Sequence, residues 1–184
     1  MFDRQHLQIH EVDSSPFSGA ESGCADPMCT IRFVLSLRPI TDENREAVEA
    51  LRVAPAQERF VDDVVGSLRE AAEEPDGRAI WWAVYADETP VGFVMISDEV
   101  GGPDYIAHYL WKLFIDDRHQ GRGYGTATLD LIAAYFRGRH GVEAVWTSAG
   151  QGEGSPIGFY ERYGFERTGE IVFNDEVLLR LPLG

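Results

Sequence analysis

A chain of 184 residues has room for one domain of ordinary size and can form a hydrophobic core without metal or disulfide staples. Hydrophobic residues make up 44% and charged residues 26%, which excludes wholesale disorder and collagen-like or low-complexity architectures. Lys and Arg number 16 against 31 Asp and Glu, a formal charge of -15, and a surface that negative repels nucleic-acid backbones and anionic lipid while attracting cations.

No stretch approaches the roughly 18 consecutive apolar residues of a membrane span. The N-terminus carries polar and charged residues where a secretory signal needs an apolar run, so a cytoplasmic protein without membrane or nucleic-acid partners is expected. Cys24 and Cys29 cannot build a disulfide framework. With His6 and His10 they resemble a zinc-ligand set in reverse order, but the intervening EVDSSPFSGAESG lacks the apolar periodicity of a finger packed around its metal. Residues 1–30 therefore read as a flexible N-terminal extension, and residues 31–184 as a single domain.

From Ile31, IRFVLSLRPI has the β-branched and apolar texture of a first strand. A helix follows in NREAVEALRV, with Ala47, Val48 and Leu51 on one face and Pro55 ending it. The stripe Phe60, Val61, Val64, Val65, Leu68 predicts a second helix stopping before Pro75-Asp76-Gly77. AIWWAVYA and VGFVMIS, joined by Asp87-Glu88-Thr89-Pro90, read as a hairpin, and the nearly continuous YIAHYLWKLFI as a central strand buried on both faces. Leu129, Ile132, Ala133 and Phe136 mark a third helix, EAVWTS a strand, and PIGFYERY a short helix capped by Gly164. Two strands near Phe165–Glu170 and Glu176–Leu181 close the chain. The order β, α, α, β, β, β, α, β, α, β, β predicts an α/β fold: one mixed sheet flanked by helices.

The strongest local signal is a strand, then Gln120-Gly121-Arg122-Gly123-Tyr124-Gly125-Thr126, then a helix. Glycines at alternate positions let backbone approach a ligand, and the amides opening a helix favour an anion such as a pyrophosphate. No Gly-Lys-Ser/Thr follows, so this is not a P-loop, and Thr126 stands where the dinucleotide fingerprint has its third Gly. Such turns also occur for packing alone.

In LFIDDRHQGRGYG and SPIGFYERYGF the chain resembles the GCN5-related N-acetyltransferases, the GNAT family, from about Ile31 to the C-terminus. Gln120, Gly123 and Gly125 fill the family's acetyl-CoA motif, and SPIGFYERYGF looks like its helix that carries a Tyr and ends in Gly-Phe. The resemblance implies a GNAT-like acyl-CoA N-acyltransferase fold with acetyl-CoA as cosubstrate. It implies that Leu113, Phe114 and Ile115 pair with the pantetheine arm, and that backbone amides from Gln120 through Gly121, Arg122, Gly123, Tyr124, Gly125 and Thr126 bind the pyrophosphate. Tyr160 falls where the family has its general acid, and Tyr163 should face elsewhere. Two departures stand out: Glu153 replaces an Asn common seven residues before that Tyr, and Trp111 replaces a strand Glu that serves as base in some polyamine acetyltransferases.

A general base is still needed, because a primary ammonium has a pKa near ~10.4 and must lose a proton before it attacks. His108, Glu153 and Asp98 are candidates, with a chain of waters as the default. Trp81, Trp82, Tyr109 and Trp111 concentrate aromatics on neighbouring strands. Most should be core, but Tyr109 and Trp111 could wall a cationic acceptor. RVAPAQERFVDD and LWKLFID resemble bacterial spermine/spermidine acetyltransferases, which implies a small-molecule amine acceptor, foremost a polyamine. The alternatives are the same chemistry on an aminoglycoside-like, amino-acid or protein N-terminal amine, or an acyl-CoA sensor without catalysis. Small acetyltransferases often complete their acceptor clefts as homodimers, so a homodimer is compatible with the resemblance.

Overall fold

The computed structural model describes residues 34–99, 106–173 and 175–184. Seven strands and four helices follow in the predicted order: β1 (Leu35–Arg38), α1 (Arg45–Glu49), α2 (Val64–Glu73), β2 (Ala79–Ala86), β3 (Thr89–Ser97), β4 (Tyr109–Ile115), α3 (Tyr124–Arg137), β5 (Ala144–Ala149), α4 (Ile157–Tyr163), β6 (Glu166–Val172) and β7 (Glu176–Pro182). They form one mixed sheet in the order β1-β2-β3-β4-β5-β7-β6, with only β4 and β5 parallel. The histidines and cysteines of the zinc-like pattern lie outside the described residues, as does the N-terminal extension. Among the described residues no helix is long and apolar enough to cross a membrane.

Period-two alternation sorts the central strands between two cores. Trp82 and Val84 of β2 and Val94 and Ile96 of β3 join Ile132, Phe136 and Tyr160 of α3 and α4 on one face. Ala83, Tyr85, Phe93 and Met95 join Val48, Leu51 and Val64 of α1, α2 and the turn after α1 on the other. Both faces of β2 and β3 are covered, which is why their sequences read as continuous apolar runs.

Four boundaries differ from the sequence reading. Helix α1 ends at Glu49 with Ala50 as its C-cap, and Pro55 opens a separate 3-10 turn instead of ending that helix. Helix α2 begins at Val64 rather than Phe60, because Asp63 caps it by accepting the Gly66 N–H at 2.8 Å. Phe60 and Val61 precede the helix and face the cleft described below. The β2–β3 hairpin turns on Asp87-Glu88 alone, with Asp87 at φ 52, and Thr89 and Pro90 already belong to β3. Strand β4 starts at Tyr109, and its middle residues Trp111, Lys112 and Leu113 are only part-buried, because the sheet opens beside them.

Asp116, just past β4, ties this opening to the helical layer. It is 1% exposed and accepts from the Arg52 N–H at 2.9 Å and from both the backbone and the guanidinium of Arg118. Burial alone would raise its pKa, but these hydrogen bonds outweigh that and hold it below the usual carboxylate value. Its stabilising contribution is therefore present above the unfolded carboxylate pKa and is lost as pH falls through the lower folded value. Asp116→Ala orphans the Arg52 and Arg118 amides and is expected to cost about 1–3 kcal/mol in denaturant unfolding.

Candidate active site

Strands β4 and β5 share one paired position, Tyr109 with Trp146, whereas β5 and β7 pair from Ala144 through Ala149. Beyond Tyr109 the two parallel strands diverge, so the β4 edge from Trp111 to Ile115 faces a cleft of 1280 Å³ instead of a neighbouring strand. A strand edge facing a cavity is a template for an extended ligand with amide groups of its own. The segment Gln57–Val61 covers the cleft, anchored by the Arg59 guanidinium donating to the Glu153 carbonyl at 2.7 Å.

At the far end of β4 the chain turns through Gly121 (φ 73) and Gly123 (φ 84) into α3. Gly123 is the N-cap and no side chain caps the helix, so its opening amides turn outward. A Cβ on Gly121 or Gly123 would meet nothing within 4 Å, so the two glycines leave an open hollow in the cleft lining. On Gly125 it would come within 3.2 Å of Phe159, so that glycine lets α4 pack against α3. The Gln120 side chain donates to the Ile115 carbonyl at 2.9 Å and to Gln57 Oε1 at 2.7 Å, fixing the turn against the strand end. Such a hollow at a helix N-terminus suits a pyrophosphate, and the open strand suits the amide-bearing arm of coenzyme A.

At the narrow end of the opening stand two tyrosines. Tyr160 is 6% exposed and packs between Phe159 and Phe165, each at 5.3 Å. Burial pushes its phenol up to about 12, the Thr147 hydroxyl pulls the other way, and the Glu176 carboxylate adds to the rise. A phenol that stays protonated at every physiological pH can donate but not abstract a proton. Tyr109, at the base of β4, bonds through its hydroxyl to Ser148, and Ser148 bonds in turn to Glu176.

The sequence profile of the Acetyltransferase (GNAT) family matches residues 38–165. This chain belongs to that family. Like other GNAT proteins it uses acetyl-CoA, and the glycine hollow and open β4 edge fit that cosubstrate. The spermine/spermidine N(1)-acetyltransferase of Bacillus subtilis is 27% identical over 154 residues, covering 79% of this chain and 96% of that protein. Two solved GNAT-fold structures align with a TM-score of 0.57 each. An acetyltransferase from Thermus thermophilus is 21% identical and covers 80% of this chain and 96% of its own. The spermidine N-acetyltransferase of Vibrio cholerae in complex with CoA and spermine is 14% identical, covering 81% and 95%.

Of the residues singled out in the sequence, Tyr109, Trp111, Leu113, Phe114, Ile115, Gln120, Gly121, Gly123, Tyr124, Gly125, Thr126 and Tyr160 all line the GNAT cleft. Arg122 does not, and its guanidinium turns back to the Arg118 carbonyl at 3.3 Å. Tyr163 faces away and donates to Asp130 at 2.8 Å. None of the three candidate bases lines the cleft. Asp98 and His108 sit together at 3.3 Å in a cluster where Tyr135 and Arg139 also bond Asp98, and Glu153 is exposed. Trp82 is core and Trp81 packs against the second core, whereas Trp111 donates its indole N–H to Glu70 at 2.8 Å. Cleft-lining residues that sequence reading missed include Glu70, Glu74, Asp76, Thr147, Ser148, Phe173 and Glu176.

Proposed function

We propose that this acetyltransferase moves the acetyl group of acetyl-CoA onto a primary amine of a polyamine by direct attack. The observation that carries the reading is the sorting of charge along the cleft. Glu70, Glu74 and Asp76, at and just beyond the C-terminal end of α2, line it with Trp111 and Phe173, whereas the glycine hollow and His119 lie past Ile115. Glu70 bonds Trp111 and Lys112 in the middle of β4, so roughly 10–13 Å of strand, at about 3.3 Å per residue, separates it from Ile115. A carboxylate-rich end with aromatic walls suits a ligand bearing several ammonium groups on an alkyl chain. Lys112, paired with Glu70 at 2.7 Å and Asp62 at 3.3 Å, offsets one of these charges, and the three lining carboxylates still leave this end net negative. The relative from Bacillus subtilis, by its name, acts on such amines.

In this reading the neutral amine nitrogen attacks the thioester carbonyl carbon, the C–S bond breaks, the leaving thiolate takes the Tyr160 proton, and the proton that the nitrogen sheds as it becomes an amide restores the Tyr160 hydroxyl. The two cysteines, Cys24 and Cys29, precede the family match at 38–165, so direct transfer needs no acyl-enzyme thiol. An amine screen following CoA thiol release tests the acceptor. Spermidine and spermine should react, and their apparent affinity should fall as added salt shortens the screening length from about 10 Å at 0.1 M to about 3 Å at 1 M. Preference for a small monoamine over spermidine at equal concentration would overturn the polyamine reading.

A further inference from the structure

The reaction needs a group that accepts the ammonium proton, and the three candidates expected to do so, His108, Glu153 and Asp98, do not line the cleft. We infer that Tyr109, Ser148 and Glu176 form a relay that carries this proton from the acceptor amine out to Glu176. The three residues come from β4, β5 and β7 and all line the cleft where β4 and β5 begin to separate, the same end as Tyr160. Tyr109 Oη bonds Ser148 Oγ, and Ser148 Oγ bonds Glu176 Oε2.

The chemistry of the last member fixes the direction of the chain. An ionised carboxylate only accepts, so the Ser148 hydroxyl donates to Glu176, and Ser148 Oγ is left to accept from the Tyr109 hydroxyl. The Tyr109 oxygen therefore keeps its lone pairs for a donor in the cleft, and an ammonium N–H is such a donor. Tyr109 is 8% exposed and its ring meets Phe173 edge-on at 6.0 Å, which holds the oxygen in place.

The transfer balances bond by bond. The ammonium N–H breaks as a new Tyr109 Oη–H forms, the original Tyr109 O–H passes to Ser148 Oγ, and the original Ser148 O–H passes to Glu176 Oε2. Tyr109 and Ser148 end neutral, the amine gains its lone pair, and Glu176 gains one proton. Glu176 is only part-buried at the start of β7, so it can return that proton to water between turnovers. Burial pushes the Tyr109 phenol well above its ordinary value, so it passes a proton on without becoming a phenolate. Tyr109 alone meets the amine, and Ser148 and Glu176 act through it.

The inference rests on the acceptor being a primary ammonium, not on its being a polyamine. The test compares parent and Glu176→Gln in single turnovers with acetyl-CoA and spermidine between about pH 7 and pH 10, bracketing most of the rise in neutral amine below its pKa of ~10.4. Around Glu176 the titratable groups are Tyr109 of β4 and Tyr160 of α4, both kept protonated through this range, while Ser148 of β5 and the β6 neighbour Val172 do not titrate in it. Glu176→Gln retains an acceptor for Ser148 but cannot take the proton. A loss of about 100-fold near pH 7 is expected, shrinking as the pH rises and amine arrives already neutral, with CoA affinity unchanged. Ser148→Ala should behave the same way and Ser148→Thr should restore the rate, which keeps the test open should Glu176→Gln fail to fold. A parent-to-variant ratio constant across pH, or no loss at pH 7, would overturn the relay. If the parent leaves spermidine untouched, the polyamine reading has failed, and the same ratio measured with a primary amine that the parent does acetylate still decides the relay.

Discussion

Tyr160→Phe should slow acetyl transfer by about 100 to 10,000 fold, the usual worth of a positioned proton donor, while acetyl-CoA binding stays nearly unchanged. The substitution removes one oxygen and keeps the ring between Phe159 and Phe165, so the α4 packing persists. With its phenol held up to about 12 by burial, Tyr160 remains a donor across the accessible pH range. Any fall in parent activity between about pH 8 and pH 10 must then come from another group. The rate should be followed in a single turnover at saturating amine, because slow product release would mask a chemical defect in the steady state. Tyr163→Phe is the control: it loses the hydrogen bond to Asp130 and some stability, but Tyr163 does not line the cleft, so transfer should proceed at the parent rate. Equal single-turnover rates for parent and Tyr160→Phe would remove Tyr160 from the reaction.

What the sequence could and could not reveal follows from the range of the interactions. Strand and helix order was legible because period-two and helical stripes are local, as in β2, β3 and α3. The hollow was legible for the same reason, since Gly121, Gly123 and Gly125 are neighbours in the chain. The start of α2 was misread because Phe60 and Val61 extend the apolar stripe, although they serve the cleft, and the start signal is the Asp63 cap. The relay was invisible because Glu176 opens a strand where Val177, Leu179 and Leu181 alternate, and there an acidic residue reads as solvated. Ser148 sits opposite Leu178 only because β7 crosses to lie beside β5, a pairing no local pattern encodes. Asp98 and His108 looked like bases by residue type, but the approach of α3 brings Tyr135 and Arg139 to Asp98 and binds both into the fold.

Gly123→Val should weaken CoA binding by at least about tenfold, because it acts on the hollow in two ways at once. Its β-branched side chain would project into space where no protein atom lies within 4 Å of the Cβ, the space we propose for the pyrophosphate. Its φ of 84 is also a conformation that a Val avoids, so the variant loses stability as well as affinity. The second effect can be subtracted. Gly141, in the turn between α3 and β5, has a φ of 81 and likewise meets nothing within 4 Å, but it does not line the cleft. Gly141→Val therefore carries a similar backbone penalty without touching the hollow, and calorimetric titration of both variants with CoA separates strain from occlusion. Gly141→Val is expected to melt earlier yet bind CoA like the parent, and Gly123→Val to melt earlier and bind poorly. If the two variants bound CoA equally well, the anion would have to sit elsewhere, and the outward amides opening α3 would be a packing feature of a glycine-rich turn.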